Sequence, residues 1–237
     1  MNNNSSKQIL LSVIGVAILV VAVVGVSFAF FTYTKTGTQD NVITTGTLTF
    51  SFEDTSWINL TNHFPVATQA DVTGENSECA FSVQGSAPAG TSLYYDIIAI
   101  DGTLAAEGND YAGKTRFPND EISVYLAPTG TGEGNTVTNY AETATGTLIS
   151  NLEDVAVADG LNGKLLADGI MTGATGADGN TARTVSFTGK MWVDSDVVKV
   201  IGDNETATGA HTYKAADYGN MYYTMKIAVV ARDTVRP

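Results

Sequence analysis

The sequence predicts an all-β protein, a single jelly-roll or β-sandwich domain preceded by an N-terminal hydrophobic segment. Several short runs alternate apolar and polar residues and are rich in β-branched side chains. The runs are separated by turns rich in Gly, Asn and Asp, and the chain has 24 Gly but only 5 Pro. No amphipathic helix of three turns stands out. We therefore expect roughly seven to ten strands in two packed sheets.

Seven segments carry the strand pattern most clearly. They are Thr47–Phe52, Trp57–Leu60, Cys79–Gln84, Leu93–Ile100, Ile122–Leu126, Val185–Val193 and Tyr222–Val230. The run Leu93–Ile100 is almost continuously apolar, which is typical of a central strand covered on both faces. The stretch Leu148–Leu166 lacks a clear period, and we interpret it as an irregular or short helical excursion.

Length and charge limit the classes of function. The chain has 237 residues, 43% of them hydrophobic, which is enough for one well-formed core. Its formal charge is −13, from 12 Lys and Arg against 25 Asp and Glu. Such a surface repels phosphate backbones, so we expect no nucleic-acid partner. The single cysteine, Cys79, cannot form an intramolecular disulfide and is expected to be an inert packed thiol.

The N-terminus carries an export signal or a membrane helix. Residues Met1–Gln8 are polar with one positive charge, Lys7, and Ile9–Phe31 are uncharged and almost wholly apolar. About 20 such residues span a bilayer as a helix, and Lys7 would leave the following domain outside the cell. Small residues follow the apolar run as a signal-peptidase site requires. We favour cleavage after Ala29, with Ser27, Ala29 and Phe30 as the cleavage residues; the length of the apolar run favours an uncleaved anchor.

The residues around this junction carry a family pattern. The matching positions are Ala29, Phe31, Thr32, Thr34, Gly46, Thr47 and Leu48. Near the other end, Tyr218–Val230 is similar to a closing strand of the same family. The chain thereby resembles the TasA/camelysin family. The resemblance implies a signal peptide processed by a SipW-type signal peptidase, a jelly-roll fold, and self-association into extracellular fibres of a biofilm matrix at the cell surface.

The expected organisation has three parts: a signal peptide or membrane helix over 1–29, an N-terminal strand segment over 30–46, and a jelly-roll domain over 47–237. The strand segment is β-prone and alternates aromatic and Thr residues, so it could complete the sheet of a neighbouring copy by β-augmentation. The residues of this expected donor strand are Phe30, Phe31, Thr32, Tyr33, Thr34 and Lys35. The alternative is that they form an edge strand of their own domain.

Catalytic motifs are missing from the sequence. His-Glu-x-x-His, Gly-x-Ser-x-Gly, a Walker loop and the dinucleotide-binding glycine pattern do not occur. Some camelysin-type relatives are described as metalloproteases, but the histidines here, His63 and His211, lie far apart and are interpreted as ordinary surface residues. We therefore predict that the protein is not an enzyme, with no catalytic residues.

Two further features concern binding. Calcium is the one candidate cofactor, because hard oxygen ligands follow a glycine-rich loop and a strand. These residues are Asp178, Asn180, Asp194 and Asp196. The alternative function is a membrane-anchored or secreted adhesin or carbohydrate-binding β-sandwich. It would use exposed tyrosines, for which the adjacent pairs Tyr94–Tyr95 and Tyr222–Tyr223 are candidates, with one ring of each pair in the core.

Overall fold

The computed structural model describes residues 34–36, 41–45, 48–54, 58–61, 63–73, 76–87, 90–101, 111, 113–157, 162–173 and 182–236. They form one unit that contains two antiparallel sheets and a small two-stranded sheet. The prediction of an all-β sandwich is confirmed. The expected segment 1–29, the boundary at residue 46 and most of the loop around Asp178 lie outside these residues.

The first sheet has eight strands. They are β1 (Thr34–Thr36), β4 (Ile58–Thr61), β6 (Ser92–Asp101), β7 (Thr115–Arg116), β9 (Asn135–Asn139), β11 (Asp154–Ala156), β12 (Asn162–Thr172) and β16 (Met221–Arg232). The order along the sheet is β1-β16-β6-β12-β11, with β4 and β7 also paired to β16 and β9 paired to β12. The long strands β16, β6 and β12 form its centre.

The second sheet has six strands, and a third element has two. The second sheet contains β2 (Asn41–Thr45), β3 (Leu48–Asp54), β5 (Glu78–Ser86), β8 (Ile122–Gly130), β10 (Thr147–Leu148) and β13 (Ala182–Val193), in the order β10-β8-β13-β5-β3-β2. The strands β14 (Lys199–Ile201) and β15 (Thr212–Lys214) pair in parallel, and the short helix α1 (Ala215–Tyr218) leads into β16.

The core lies between the two large sheets. Alternation places every second residue of β5 and β13 inward, where the Phe81 and Phe187 rings stack with centroids 5.2 Å apart. Opposite them, β6 contributes Tyr95 and Ile97, both fully buried. Cys79 is buried and free, as expected. This interface explains why alternation along the strands predicted the fold.

The outer face of the first sheet is buried as well. Ile98, Ile100 and Leu165 form a second apolar cluster there with Ala228 and Val230. The central strand β6 therefore has apolar residues on both faces, which confirms the interpretation of its continuous apolar run.

The tyrosine pairs follow the strand geometry. Tyr95 and Tyr223 are buried in the core, while their neighbours Tyr94 and Tyr222 are half-buried. One ring of each pair thus lies in the core, as expected from the alternation of side chains along a strand.

Two predictions about the fold were wrong. The two large sheets contain fourteen strands among the described residues rather than seven to ten, because several edge strands have only two to five residues and carry no alternation. The stretch Leu148–Leu166 is neither irregular throughout nor helical: after one 3-10 turn at Ile149–Asn151 it forms β11 and the first half of β12. Gly163 and a bulge between Leu165 and Ala167 obscured that strand.

Candidate functional site

The edge of β16 is the site that the expected donor strand concerns. The strand β1 pairs antiparallel with β16, with Thr34 opposite Val230, Lys35 opposite Val229 and Thr36 opposite Ala228. The strand β4 pairs with the earlier part of β16, from Tyr222 to Met225. Two short strands thus lie along β16, β4 against its first half and β1 against its second.

The expected donor residues are only partly described. Thr34 and Lys35 lie in β1, and Phe30, Phe31, Thr32 and Tyr33 lie outside the described residues. The observed pairing within one chain is the arrangement of an edge strand in its own domain. It also identifies the part of β16 that a donated strand would have to occupy, and exchange between copies stays a prediction.

The residues expected at the signal-peptide junction, Ser27, Ala29 and Phe30, also lie outside the described residues, as does the apolar run 9–31. Among the residues that the structure describes, no helix has the length and apolar character needed to cross a membrane.

The candidate calcium residues fall into two groups. Asp178 and Asn180 lie outside the described part of the chain. Asp194 is buried at the end of β13, where its carboxylate accepts hydrogen bonds from Ser123 Oγ at 2.6 Å and from the Asp196 backbone N–H at 2.9 Å. The Asp194 side chain thereby closes a turn. Within the described ranges, no group of three or more His, Cys, Asp or Glu side chains is arranged to hold a metal ion.

A buried carboxylate at the start of β8 organises the small two-stranded sheet. Glu121 is fully buried, and its Oε1 accepts hydrogen bonds from His211 Nδ1–H at 2.6 Å and from the Tyr213 hydroxyl at 2.5 Å. The backbone N–H of Lys199 in turn donates to the carbonyl of His211 at 3.0 Å, which links β14 to the same cluster. The carboxylate therefore anchors β14 and β15 to the sandwich.

This cluster corrects the interpretation of His211 as an ordinary surface histidine. Its hydrogen bond to the Glu121 carboxylate, supported by the charges of Glu121 and Asp120, raises the pKa of His211 above its usual value. Burial and the same carboxylate raise the pKa of Tyr213. The sequence gave no signal for this cluster, because about ninety residues separate its members. His63, by contrast, is half-buried, and burial lowers its pKa.

A second polar cluster lies on the outer face of the first sheet. Asp96 of β6 and Asp168 of β12 are direct cross-strand partners, and both are buried. Arg232 Nε lies 3.0 Å and Arg236 Nη2 3.2 Å from the Asp96 carboxylate. The Tyr140 hydroxyl donates to Asp168 Oδ2 at 2.6 Å. Two like charges that would repel each other are thus held by opposite charges and a strong donor.

The electrostatics of this cluster follow from burial. Desolvation raises the pKa of Asp96, and the hydrogen bond and charge of Arg236 oppose that rise. The hydrogen bond to Asp168 raises the pKa of Tyr140 to about 12. Arg236 also contacts Glu153 Oε1 at 2.7 Å, so the C-terminal residues are fixed to the sheet.

The other acidic pairs of the sequence are engaged in similar contacts. Asp154 forms an ion pair with Lys164 at 2.9 Å, and Glu78 forms one with Lys190 at 2.8 Å. The two carboxylates that lie directly opposite each other, Asp96 and Asp168, were not paired in the sequence analysis because their strands are far apart in the chain.

Comparison with known proteins gives no relative for this chain. No protein-family model, curated protein or solved structure matches it.

Proposed function

We propose that this chain is a secreted structural protein, a subunit of extracellular matrix fibres that assemble by β-strand exchange. The pairing of β1 with β16 is the observation that supports this proposal most directly. Only three residue pairs attach β1, and the strand directly follows the segment where the export signal would end. A short terminal strand at a sheet edge is the element that exchanges at least cost between identical chains.

The energetics favour exchange. A net contribution of about 0.5–1.5 kcal/mol per hydrogen bond makes a three-residue pairing worth on the order of 3 kcal/mol. A donated β1 from a second copy would form the same bonds with the same residues of β16. Exchange therefore costs little in contact energy, and the segment's attachment to the membrane helix before cleavage would delay it. Release of the N-terminus would then allow polymerisation.

The proposal includes the jelly-roll classification. Along the chain, β3, β4, β5 and β6 alternate between the two large sheets, and β12, β13 and β16 do the same. Such alternation is how a jelly roll is wound from two Greek keys. The family that the N-terminal residues resemble, TasA/camelysin, has this fold, so the topology and the resemblance support the same architecture.

The remaining parts of the proposal follow from the same resemblance and from the composition. The chain is exported to the cell surface or the extracellular space, a signal peptidase is its partner during export, and other copies of itself are its partners afterwards. It has no catalytic role, no nucleic-acid partner and no obligatory cofactor, and it contacts a membrane only through residues 9–31 if these are retained.

The protein recovered from culture medium tests the proposal. We expect an N-terminal residue of Phe30 and a large assembled size, and we expect the mature protein without residues 30–36 to form no fibres. Unimpaired fibres from the shortened protein would exclude strand donation by this segment. A stable monomer that binds glycans on an array would instead support the adhesin or carbohydrate-binding alternative, and intact Met1 in the membrane fraction would support an anchor.

A further inference from the structure

One aromatic side chain protrudes from the end of the sandwich. Phe64, between β4 and β5, is 79% exposed and is the most exposed large hydrophobic residue of the described part of the chain. Its backbone is held on both sides: the Tyr218 hydroxyl donates to the His63 carbonyl at 2.5 Å, and the Val66 N–H donates to the Val193 carbonyl at 3.0 Å. The ring is therefore presented to solvent by a fixed backbone.

An apolar recess lies directly beside this ring. It has a volume of about 250 Å³ and is lined by Val200, Ala215, Tyr218 and Gly219 together with His63 and Phe64. Its base is rigid, because the Tyr218 ring packs edge-on against Phe117 with the ring centroids 5.4 Å apart. An exposed aromatic ring next to a recess of this size is the composition of an interface anchor and its pocket.

The charges around the recess differ from those of the chain as a whole. Lys199 and Lys214 are the sequence neighbours of the lining residues Val200 and Ala215. Neither lysine forms an ion pair with another described residue. The chain carries a net charge of −13. A cationic rim around an apolar recess is thus complementary to the acidic surface that every copy presents.

We propose that this face is a contact between two copies of the chain, in which the Phe64 ring of each copy occupies the recess of the other. Because Phe64 borders its own recess, a two-fold axis between ring and recess places each ring over the other copy's recess. Asp71 lines a second recess that also borders Phe64. The same axis brings Asp71 of each copy towards the Lys199 and Lys214 rim of the other, so apolar and charged contacts reinforce each other.

This contact deepens the proposed self-assembly and uses a surface different from the β1–β16 edge. The strand exchange joins copies along the first sheet, whereas the Phe64 contact joins them at the end of the sandwich. The two can therefore fail separately.

Photo-crosslinking of the assembled protein tests the contact. The probe is p-benzoylphenylalanine at position 64 in an equal mixture of ¹⁴N- and ¹⁵N-labelled full-length chain. We expect crosslinks between light and heavy chains that map to residues 199–219. Crosslinks confined to one chain, or none between chains at protein concentrations of tens of micromolar, would overturn the proposal.

Substitutions supply the quantitative test, measured by sedimentation velocity on the protein from culture medium. Phe64→Ser should raise the dimer Kd by at least about tenfold, as expected of an aromatic anchor. Val235→Ser removes another exposed apolar side chain, 53% exposed, and should leave the Kd unchanged. Equal dimerisation of Phe64→Ser and unsubstituted protein would contradict the contact.

Two controls separate the alternatives. Removing residues 30–36 should abolish fibres but leave the Phe64 crosslink, so loss of fibres alone speaks against strand exchange and not against this contact. Vesicles of phosphatidylglycerol test a membrane as the occupant: Phe64-dependent co-sedimentation of a protein that is monomeric in solution would replace the second copy by a lipid surface.

Discussion

Replacing Gly146 with alanine should lower the free energy of unfolding by about 2–5 kcal/mol. Gly146 has a φ of +78°, and a Cβ there would lie 2.5 Å from Trp192 Cζ2 and 2.9 Å from Ser123 Cβ. The left-handed backbone costs an L-residue about 1–2 kcal/mol. Overpacking costs about 1–3 kcal/mol more, because Trp192 is only 2% exposed and has little room to move.

A matched substitution separates the two contributions. Gly113 has a similar φ of +82°, but a Cβ there would meet no atom within 4 Å. Gly113→Ala should therefore cost only the backbone strain, about 1–2 kcal/mol, reduced by the lower entropy of the unfolded chain. Urea denaturation of both variants gives the difference, provided that their m-values match. Equal destabilisation by the two substitutions would refute the packing of the Gly146 turn against Trp192.

Three further predictions concern the polar clusters and the core. His211→Gln should destabilise the protein more at pH 5.5 than at pH 9: the charged imidazole beside Glu121 stabilises the fold below the unfolded pKa of 6.5, and this stabilisation is lost as the pH rises through the raised folded pKa, so urea midpoints should converge at high pH. Tyr140→Phe removes the donor to buried Asp168 and should cost about 1–3 kcal/mol, measured by thermal unfolding; an unchanged midpoint would show that this hydrogen bond contributes nothing. Phe187→Ala, at a side chain only 1% exposed, should cost about 3–5 kcal/mol in urea, and a loss below 1 kcal/mol would contradict its place in the core.

Strands with strict alternation were predictable from the sequence because one of their faces is buried. The residues of β5 and β13 alternate without interruption, so their facing apolar rows could be identified in advance. The buried run of β6 was predictable for the opposite reason, since both of its faces are covered. In contrast, β12 contains Gly163, Lys164, Asp168 and Gly169, and these residues hide its eleven-residue length.

The polar clusters could not be predicted because they depend on the topology of the sheets. Asp96 and Asp168 become neighbours only when β6 and β12 pair in register. Glu121 contacts His211 only because the chain returns to the start of β8 after β14. A sequence pattern describes which face a residue occupies within its own strand, and it contains no information on which distant strand will lie beside it.

The β1–β16 pairing supports the proposed strand exchange, and a cysteine pair tests it most directly. Lys35 and Val229 are cross-strand partners, so cysteines at both positions would meet the distance requirement of a disulfide. A Cys79→Ala background removes the single native thiol. In protein assembled before oxidation, strand exchange predicts a ladder of covalent multimers on non-reducing gels that collapses to monomer on reduction. Disulfides formed only within single chains of assembled protein would contradict it.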